Sequence, residues 1–223
     1  MTPELRRIGK RQSPVVVVDG FSGAPAEIVE MAAGLAPFPA TRGTYYPGLR
    51  RLITPEDAAA YAYVENMLEA AAPFIGGAFD FDGFDLIEAS FSIVTTPPER
   101  LRPAQRAPHF DSTDPRHLAL LHYLGDTPGT AFYRQRSTGI EQVDDANLPR
   151  FIEAARYESA EMRGYIRETG PAFEQIGQVE GVADRLAIYR GSLLHSGIIP
   201  EDMDFSPDPR RGRLTANIFI WGH

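Results

Sequence analysis

Apolar residues recur with helical spacing in the first third of the chain and with strand-like spacing in the remainder. Residues 14–19, PVVVVD, form a short β-branched run that predicts a strand. In residues 22–35 the apolar side chains recur every three or four positions, which predicts a helix with Ser22 as its N-cap. Residues 37–53 contain several prolines and glycines and predict a loop.

The clearest helix is predicted over residues 54–74. Thr54 is a good N-cap residue, and Pro55 suits the first helical position, where a backbone N–H is not needed. Tyr, Val, Leu and Ala side chains then repeat along one face. Gly76 and Gly77 are expected to end the helix, and its apolar face is expected to cover the outside of a sheet.

The rest of the chain predicts a series of short strands separated by turns. The strands are predicted at residues 84–95, 118–124, 130–134, 173–180, 185–189, 193–195 and 213–221. A surface helix is predicted at residues 149–167, and a proline-rich loop at residues 200–211. Many short strands after a helical N-terminal part are typical of an α+β protein built on a sandwich, jelly roll or barrel.

Length, composition and charge narrow the classes of protein. With 223 residues the chain is predicted to be one domain, 1–223, in which residues 1–80 give helical support and a first strand and residues 81–223 form the β core. The chain has no cysteine, which excludes disulfides and cysteine-bound zinc. The net charge of -8 argues against a nucleic-acid partner. Because no apolar run reaches membrane-spanning length and the N-terminus lacks a signal-peptide core, we expect a cytoplasmic protein without a membrane partner.

His109 and Asp111 are candidate metal ligands. Two residues apart on a strand, their side chains point to the same face. His195 ends a predicted apolar strand and is placed to supply a second imidazole. Two imidazoles and one carboxylate on one face of a metal leave three adjacent positions open, and this arrangement suits non-haem Fe(II).

The spacing alone leaves other interpretations open. With five histidines in the chain, roughly 0.3 His-x-Asp pairs arise by chance. His109 and His195 are equally compatible with hydrogen-bonded roles in the core or in loops. Tyr45, Tyr46 and Arg50 either line a pocket or pack along the loop onto the β core.

Five segments together resemble the 2-oxoglutarate- and iron(II)-dependent dioxygenase superfamily: HFDST, LALLHYLGD, GTAFYRQRSTG, YRGSLLHSG and GRLTANIFIW. Their order is similar to that of the prolyl-hydroxylase-like branch, in which a His-x-Asp pair, a YLN-type strand and a Gly-Gly-type turn precede a distal histidine and a basic residue. The similarity covers residues 106–221. It implies a double-stranded β-helix, or jelly roll, over residues 81–223, with supporting N-terminal helices and an inserted helix, in a divergent bacterial branch.

The resemblance also implies cofactors and an activity. The three candidate ligands would hold Fe(II), and Arg213 would bind the distal carboxylate of 2-oxoglutarate, because a guanidinium fork matches a carboxylate. Thr215, on the same face, and Tyr123, on the neighbouring strand, are the other expected cosubstrate contacts; His122 is the alternative to Tyr123, since only one of these adjacent residues faces inward. The implied reaction is hydroxylation of a small-molecule, amino-acid or peptidyl substrate.

Three features depart from the family pattern. A long polar loop separates His195 from Arg213, which leaves Arg211 as an alternative to Arg213. Pro128 and Gly129 stand where the family has paired glycines, and a helix is inserted before the distal strands. None of these departures removes a candidate ligand.

The mouth of such a pocket is predicted near the motif. Its candidate residues, which would favour an anionic or amino-acid-like substrate, are Arg102, Arg106, Tyr133, Arg134 and Arg136. The alternative is that these residues are solvated surface side chains. His117 follows a polar loop and is expected on the surface.

Three other functions remain open at this stage. A cupin-like metal-binding protein, or a metal-dependent enzyme that is not an oxygenase, would use the same ligands with Zn(II) or Mn(II). A jelly-roll binding module would keep the pocket without turnover, and in an interaction protein the His-x-Asp pair would be accidental. Convergence of the three ligands would exclude the last, and a basic residue across the pocket would favour the oxygenase over the cupin.

Overall fold

The computed structural model describes residues 2–40 and 45–223. Its strands are β1 (Glu4–Ile8), β2 (Ser13–Val18), β3 (Gly48–Leu52), β4 (Phe84–Val94), β5 (His117–Tyr123), β6 (Thr127–Gln135), β7 (Phe173–Gly181), β8 (Arg185–Arg190), β9 (His195–Gly197) and β10 (Leu214–Gly222). Its helices are α1 (Pro25–Gly34), α2 (Ala58–Phe79), α3 (Pro103–Arg106) and α4 (Leu148–Glu161), with a 3-10 turn at Pro98–Arg100.

The strands form two sheets that face each other. The large sheet has the order β1-β2-β8-β5-β10-β4-β3, and the small sheet has the order β7-β6-β9. All pairings within them are antiparallel. Because β6, β7 and β9 lie in the small sheet, the chain crosses between the sheets after β5, β7, β8 and β9. This arrangement confirms the predicted α+β fold with a jelly-roll core.

Helices α1 and α2 cover the outer face of the large sheet. The residues that α2 buries there are Tyr63, Val64, Met67, Ala71, Ile75 and Phe79. On β10 the apolar side chains at positions 214, 216, 218 and 220 belong to the same cluster. Side chains alternate along a strand, so Thr215, Asn217 and Phe219 face the small sheet. The prediction that α2 supports the outside of a sheet is confirmed.

The space between the sheets is apolar on one side and polar on the other. Near β2 and β8 it is filled by an apolar cluster whose largest members include Tyr123, Phe132 and Tyr189. Towards β4 and β10 the inward positions become polar, at Ser92 and Thr215 for example. Helix α4 covers the outer face of the small sheet. The polar side is therefore where a ligand site has room to form.

The predicted strands agree with the structure to within three residues, but two strands escape the sequence pattern. These are β1, ELRRI, and β3, GLRRL, which lie at the two edges of the large sheet. Edge strands tolerate charged side chains, which hide their apolar pattern. The first 80 residues thus supply three strands rather than one, and β3 occupies part of the predicted loop. Residues 41–44 of that loop lie outside the described residues.

The starts of the first two helices differ from the predictions. Helix α1 begins at Pro25, and Ser22 does not cap it, because the Ser22 hydroxyl donates to Oδ1 of Asp184. Helix α2 begins at Ala58. The residues before it form a turn in which the Thr54 N–H donates to the Asp57 carboxylate at 3.1 Å. Local hydrogen bonds of short polar side chains compete with helix formation at these positions.

The ends of two helices also differ from the predictions. Gly76 and Gly77 do not end α2, which continues to Phe79 because Ile75 and Phe79 are buried against the sheet. It ends at Asp80, whose φ is 62°. Helix α4 ends at Glu161, six residues earlier than predicted. None of the helices in residues 2–40 and 45–223 has the length and apolar character needed to cross a membrane.

A chain of hydrogen bonds crosses the apolar layer beneath α2. The Tyr63 hydroxyl lies 2.8 Å from Nδ1 of His122, and Nε2 of His122 lies 2.9 Å from Oδ1 of Asp184. Asp184 also accepts the backbone N–H groups of Ser22 and Gly23. Burial lowers the pKa of His122, so the ring is neutral at pH 7, donates to Asp184 and accepts from Tyr63. The chain ties α2, β5 and the segment before α1 together.

Candidate active site

The backbone brings His109 and His195 side by side. They form an isolated antiparallel bridge, in which the His109 N–H donates to the His195 carbonyl at 2.9 Å and the His195 N–H donates back at 2.8 Å. Side chains of directly paired residues share a face, and the two imidazole centroids are 4.3 Å apart. Two details of the prediction are wrong: His109 lies outside the regular strands, and β9 begins at His195 instead of ending there.

Asp111 joins this pair from the same side. Its N–H donates to the Gly191 carbonyl at 2.7 Å. Its Oδ1 lies 3.9 Å from Nε2 of His109, and its Oδ2 lies 3.6 Å from Nε2 of His195. A Cβ on Gly191 would lie 2.3 Å from Nδ1 of His117 and 3.2 Å from the Asp111 Cβ, so only glycine permits this approach. One ligand atom from each of the three candidates lies within 4.8 Å of the others.

The tautomer of His195 is fixed by its surroundings. Its Nδ1 lies 2.7 Å from the Leu193 carbonyl oxygen, which can only accept a hydrogen bond. Nδ1 therefore carries the proton, and Nε2 presents a lone pair on the side of Asp111. Burial lowers the pKa of His195 to about 4, so the imidazole is neutral at pH 7. Burial and the nearby His195 also lower the pKa of His109, whose side chain keeps more contact with solvent.

The three donors match a divalent cation. Burial raises the pKa of the Asp111 carboxyl, because nothing in the described chain compensates its charge fully. Ligand atoms bind such metals at about 2.0–2.2 Å, so two of them at right angles lie about 3 Å apart. The observed separations of 3.6 and 3.9 Å need only a small inward movement. Two imidazoles and one carboxylate on one face are the ligand set of non-haem iron sites.

A cavity of about 380 Å³ opens beside the three ligands, between the two sheets. Its volume lies at the lower end of the range for small-molecule sites. The three ligands form part of one wall, and inward-facing Ser92, Thr215 and Asn217 form part of another. Tyr189 lies between these walls, with its ring edge-on to His195 at 4.9 Å between centroids.

Arg213 points into this cavity from the start of β10. Its residue exposure is 9%, Nη2 donates to the Gly129 carbonyl at 3.2 Å, and a Cβ on Gly197 would lie 3.3 Å from Nη2. Arg211 instead is exposed and forms an ion pair with Asp204 at 2.9 Å. The long polar loop thus returns the chain so that Arg213, rather than Arg211, reaches the cavity.

Four buried polar atoms in the cavity wall have no hydrogen-bond partner within the described residues. They are Nδ1 of His117, Nε of Arg213 and the hydroxyl groups of Tyr46 and Ser92. Burial raises the pKa of Tyr46 to about 12, so its hydroxyl keeps its proton at neutral pH. Leaving a buried donor unpaired costs about 1–3 kcal/mol. An arginine beside two hydroxyl groups is suited to donate hydrogen bonds to a carboxylate, which would remove that cost.

Thr215 and Tyr123 lie on the same inner surface as Arg213. Thr215 is the cross-strand neighbour of Ser92 on one side and of Tyr123 on the other. Tyr123 is fully buried, and its hydroxyl donates to Oγ1 of Thr130 at 2.7 Å. Of the adjacent pair in β5, Tyr123 is therefore the inward residue, and it meets the cavity wall through Thr130.

Several predicted pocket residues are elsewhere. None of Arg102, Arg106, Tyr133, Arg134 and Arg136 belongs to the cavity wall in the described part of the chain. Arg134 pairs with Glu141 and Glu174, and Tyr133 is buried beneath α4 because it faces outward from the small sheet. His117, expected on the surface, lines the cavity with its ring 5.3 Å from that of Phe219. Tyr45, Tyr46 and Arg50 line the cavity, which decides between the two interpretations of their loop.

The sequence does contain a signal for the wall residues that were missed. In β4, Ser90 and Ser92 alternate with Phe91 and Ile93 within a strand that is buried on both faces. Small polar residues at every second position of such a strand indicate a polar inner face. The same alternation runs through Arg213, Thr215 and Asn217 in the last strand, where the family resemblance drew attention to it.

Comparison with known proteins identifies the family of the chain. The family model described as "Family of unknown function (DUF6445)" matches residues 1–220. No curated protein matches the sequence.

Solved structures share the fold. The non-heme alpha ketoglutarate dependent epimerase SnoN from nogalamycin biosynthesis superposes with a TM-score of 0.56 at 16% identity, over 95% of this chain and 80% of SnoN. HygX from Streptomyces hygroscopicus, with nickel and 2-oxoglutarate bound, gives a TM-score of 0.54 at 14% identity, over 94% of this chain and 83% of HygX. A HygX structure that also holds hygromycin B gives 0.51 at 14% identity, with the same coverage of both chains. The chain therefore has the double-stranded β-helix fold of 2-oxoglutarate- and Fe(II)-dependent oxygenases.

Proposed function

The chain belongs to the DUF6445 family, and we propose that it is a non-haem Fe(II)- and 2-oxoglutarate-dependent oxygenase. The observation that carries this proposal is the convergence of His109, Asp111 and His195 on one point, with the unpaired Nε of Arg213 in the same cavity. Its substrate is a small molecule, an amino acid or a peptidyl group, and its default reaction is hydroxylation. SnoN and HygX, which share the fold, support a small molecule in particular.

Each of the three candidate ligands would have its own role in holding the metal. His195 offers Nε2 because the Leu193 carbonyl holds the proton on Nδ1, and such backbone partners orient metal-bound imidazoles. Asp111 supplies the negative charge that a divalent ion requires and is positioned by the Gly191 carbonyl. His109 completes the set from the paired backbone position. The remaining face is directed to the cavity.

Arg213 would hold the distal carboxylate of 2-oxoglutarate. Its free Nε and the hydroxyl groups of Tyr46 and Ser92 are the donors that such a carboxylate would satisfy. Thr215 lies beside them on the same surface, and Tyr123 supports the wall through its bond to Thr130. The roles of Arg213 and Thr215 are the ones that the family resemblance implies, whereas Tyr123, expected as a direct cosubstrate contact, would act through Thr130.

The reaction would need both the bound groups and a cavity from which water is excluded. Together, Fe(II) and 2-oxoglutarate supply oxidation of a substrate C–H bond by O₂, with decarboxylation of the cosubstrate to succinate. The chain binds and orients the reactants, and the rings of Phe110 and Tyr189 in the cavity wall exclude water. The Arg213 guanidinium would neutralise the distal carboxylate, and the protonated Tyr46 hydroxyl would donate a hydrogen bond to it. A cupin-like metal protein would use the same three ligands but has no role for a buried arginine facing them.

Succinate formation tests this proposal. The Fe(II)-loaded protein is incubated with 2-oxoglutarate, ascorbate and O₂, and succinate is measured without any added substrate. We expect O₂-dependent succinate from the wild type and from His223→Ala, a histidine at the chain terminus outside the cavity, and none from His195→Ala. No succinate from the wild type, or equal amounts from His195→Ala, would contradict the proposal.

A further inference from the structure

A second charged group faces the cavity beside the proposed cosubstrate site. Arg50 lies on β3 at the edge of the large sheet, opposite Ser92 of β4, and lines the cavity. Its Nη2 donates to Oε1 of Glu88 at 2.5 Å and to the Ser90 hydroxyl at 2.9 Å. Glu88 is the cross-strand partner of Phe219, which also lines the cavity. The proposed oxygenase chemistry gives this ion pair no role.

The charged heads of the ion pair remain partly exposed. The hydrogen bonds of the pair among the described residues run through Nη2 of Arg50 and Oε1 of Glu88. The side chains of Arg50 and Glu88 keep 19% and 36% of their exposure, so both heads remain accessible to a ligand. Of the two residues, Arg50 lines the cavity, and Glu88 lies against it through their ion pair.

The ion pair is close enough to the metal ligands to matter for a substrate. Arg50 lines the same cavity as the three candidate metal ligands. Arg50 is also near enough to lower the pKa of Tyr46. Arg50 and Arg213 both line the cavity, and both lie near Tyr46. A molecule whose head group bound Arg50 would share this cavity with the three ligands.

We propose that Arg50 and Glu88 bind the head group of a free α-amino acid, which is the primary substrate. The carboxylate would accept from Nε or Nη1 of Arg50, and the ammonium would donate to Oε2 of Glu88. This assignment rests on the proposed oxygenase function and names its substrate class. The small cavity suits a substrate that enters whole rather than a folded protein.

Charge balance favours a zwitterion over a simple acid. Arg50 is already neutralised by Glu88, so a lone carboxylate would meet an adjacent negative charge. An ammonium group beside that carboxylate removes the repulsion, because the four charges then alternate in sign. A peptide terminus supplies only one of the two charged groups. Asn217, on the adjacent strand of the same wall, is available to the body of the substrate.

Binding is tested separately from turnover. The protein is loaded with Zn(II) and 2-oxoglutarate, and the affinity for 2-oxoglutarate is measured first. The twenty common L-amino acids are then screened by saturation-transfer difference NMR, together with their N-acetyl and carboxamide derivatives. We expect at least one free amino acid to bind, and blocking either its amine or its carboxylate to weaken binding at least tenfold.

Variants assign the binding to the ion pair. Arg50→Gln and Glu88→Gln should each weaken binding of the amino acid at least tenfold. The affinity of each variant for 2-oxoglutarate should stay within twofold of the wild-type value. Arg51→Gln is the matched control: Arg51 is the next residue on β3, points to the other face and pairs with Asp57, so amino-acid binding should not change.

The possible failures are distinguishable. If the wild type does not bind 2-oxoglutarate, the oxygenase function fails and this inference fails with it. If 2-oxoglutarate binds but no amino acid does, or if blocked derivatives bind equally well, only the inference is overturned. If Arg50→Gln weakens the binding of 2-oxoglutarate instead, Arg50 belongs to the cosubstrate site and the inference is also overturned.

Discussion

Nε2 of His195 lies 3.6 Å from Oδ2 of Asp111, and neither atom has a proton to offer the other. The Leu193 carbonyl holds the imidazole proton on Nδ1, and the carboxylate is an acceptor when ionised. Two acceptors directed at one point, with a second imidazole beside them, are stabilised by a shared cation. This relationship connects the local backbone geometry of β9 to the proposed metal chemistry.

Substitution of Arg213 should selectively weaken the binding of 2-oxoglutarate. Hydrogen bonds to charged groups contribute about 1.5–3 kcal/mol, so Arg213→Gln should raise the Kd roughly 10- to 100-fold. Calorimetric titration of Mn(II)-loaded protein measures this change. Arg211→Gln, which alters an exposed ion pair two residues away, should leave the Kd unchanged. Equal losses of 2-oxoglutarate affinity in the two variants would show that the loop does not place Arg213 specifically at the cosubstrate site.

The stability of the metal-free protein should fall in mild acid. Burial lowers the pKa of His195 to about 4, whereas an imidazole in the unfolded chain titrates near 6.5. The unfolded state therefore binds more protons between these values, so the contribution of His195 is complete above pH 6.5 and is lost as the pH falls towards 4.

Urea unfolding at pH 7.5 and pH 5 measures this loss. The wild type should lose more stability over that interval than His195→Gln, which has no imidazole to protonate. The difference should not exceed about 3 kcal/mol, the value for a shift of this size. An identical pH dependence in both proteins would contradict the assigned burial of His195.

The sequence pattern predicts the interior strands of the sheets better than the edge strands. Strands β2, β4 and β8 have apolar residues on buried positions, and their pattern identifies them. Strands β1 and β3 lie at sheet edges, where one side needs no partner and arginines are tolerated. The end of α2 was missed because burial of Phe79 outweighs the low helix propensity of Gly76 and Gly77.

The residues of the candidate site also divide into those that the sequence predicts and those that it does not. His109, Asp111, His195 and Arg213 follow from motif order, and the structure brings them to one cavity. Tyr46 and Ser92 come from segments far from the motif, and only the pairing of β3 and β4 beside β10 carries them there. His117 was assigned to the surface because a polar loop precedes it, yet the strand begins at that residue and turns it inward.

The buried hydrogen-bond chain should matter for stability and not for ligands. His122→Ala would leave the Tyr63 hydroxyl without a partner inside the apolar layer and would remove one of the hydrogen bonds that the Asp184 carboxylate accepts. Unsatisfied buried groups and the resulting cavity cost about 2–5 kcal/mol, so the urea midpoint should fall clearly. The Kd for 2-oxoglutarate at temperatures where the variant is folded should stay close to that of the wild type. A large loss of 2-oxoglutarate affinity in the folded variant would contradict the separation of these two networks.

The most direct test of the central claim is an anaerobic optical titration with Fe(II) and 2-oxoglutarate. A metal held by His109, Asp111 and His195, with 2-oxoglutarate chelating it, should give a weak visible charge-transfer band. The band should be present in the wild type and in His223→Ala and absent in His195→Ala, and in Arg213→Gln it should require a higher 2-oxoglutarate concentration. No band in the wild type, or a band that survives in His195→Ala, would contradict the proposed site.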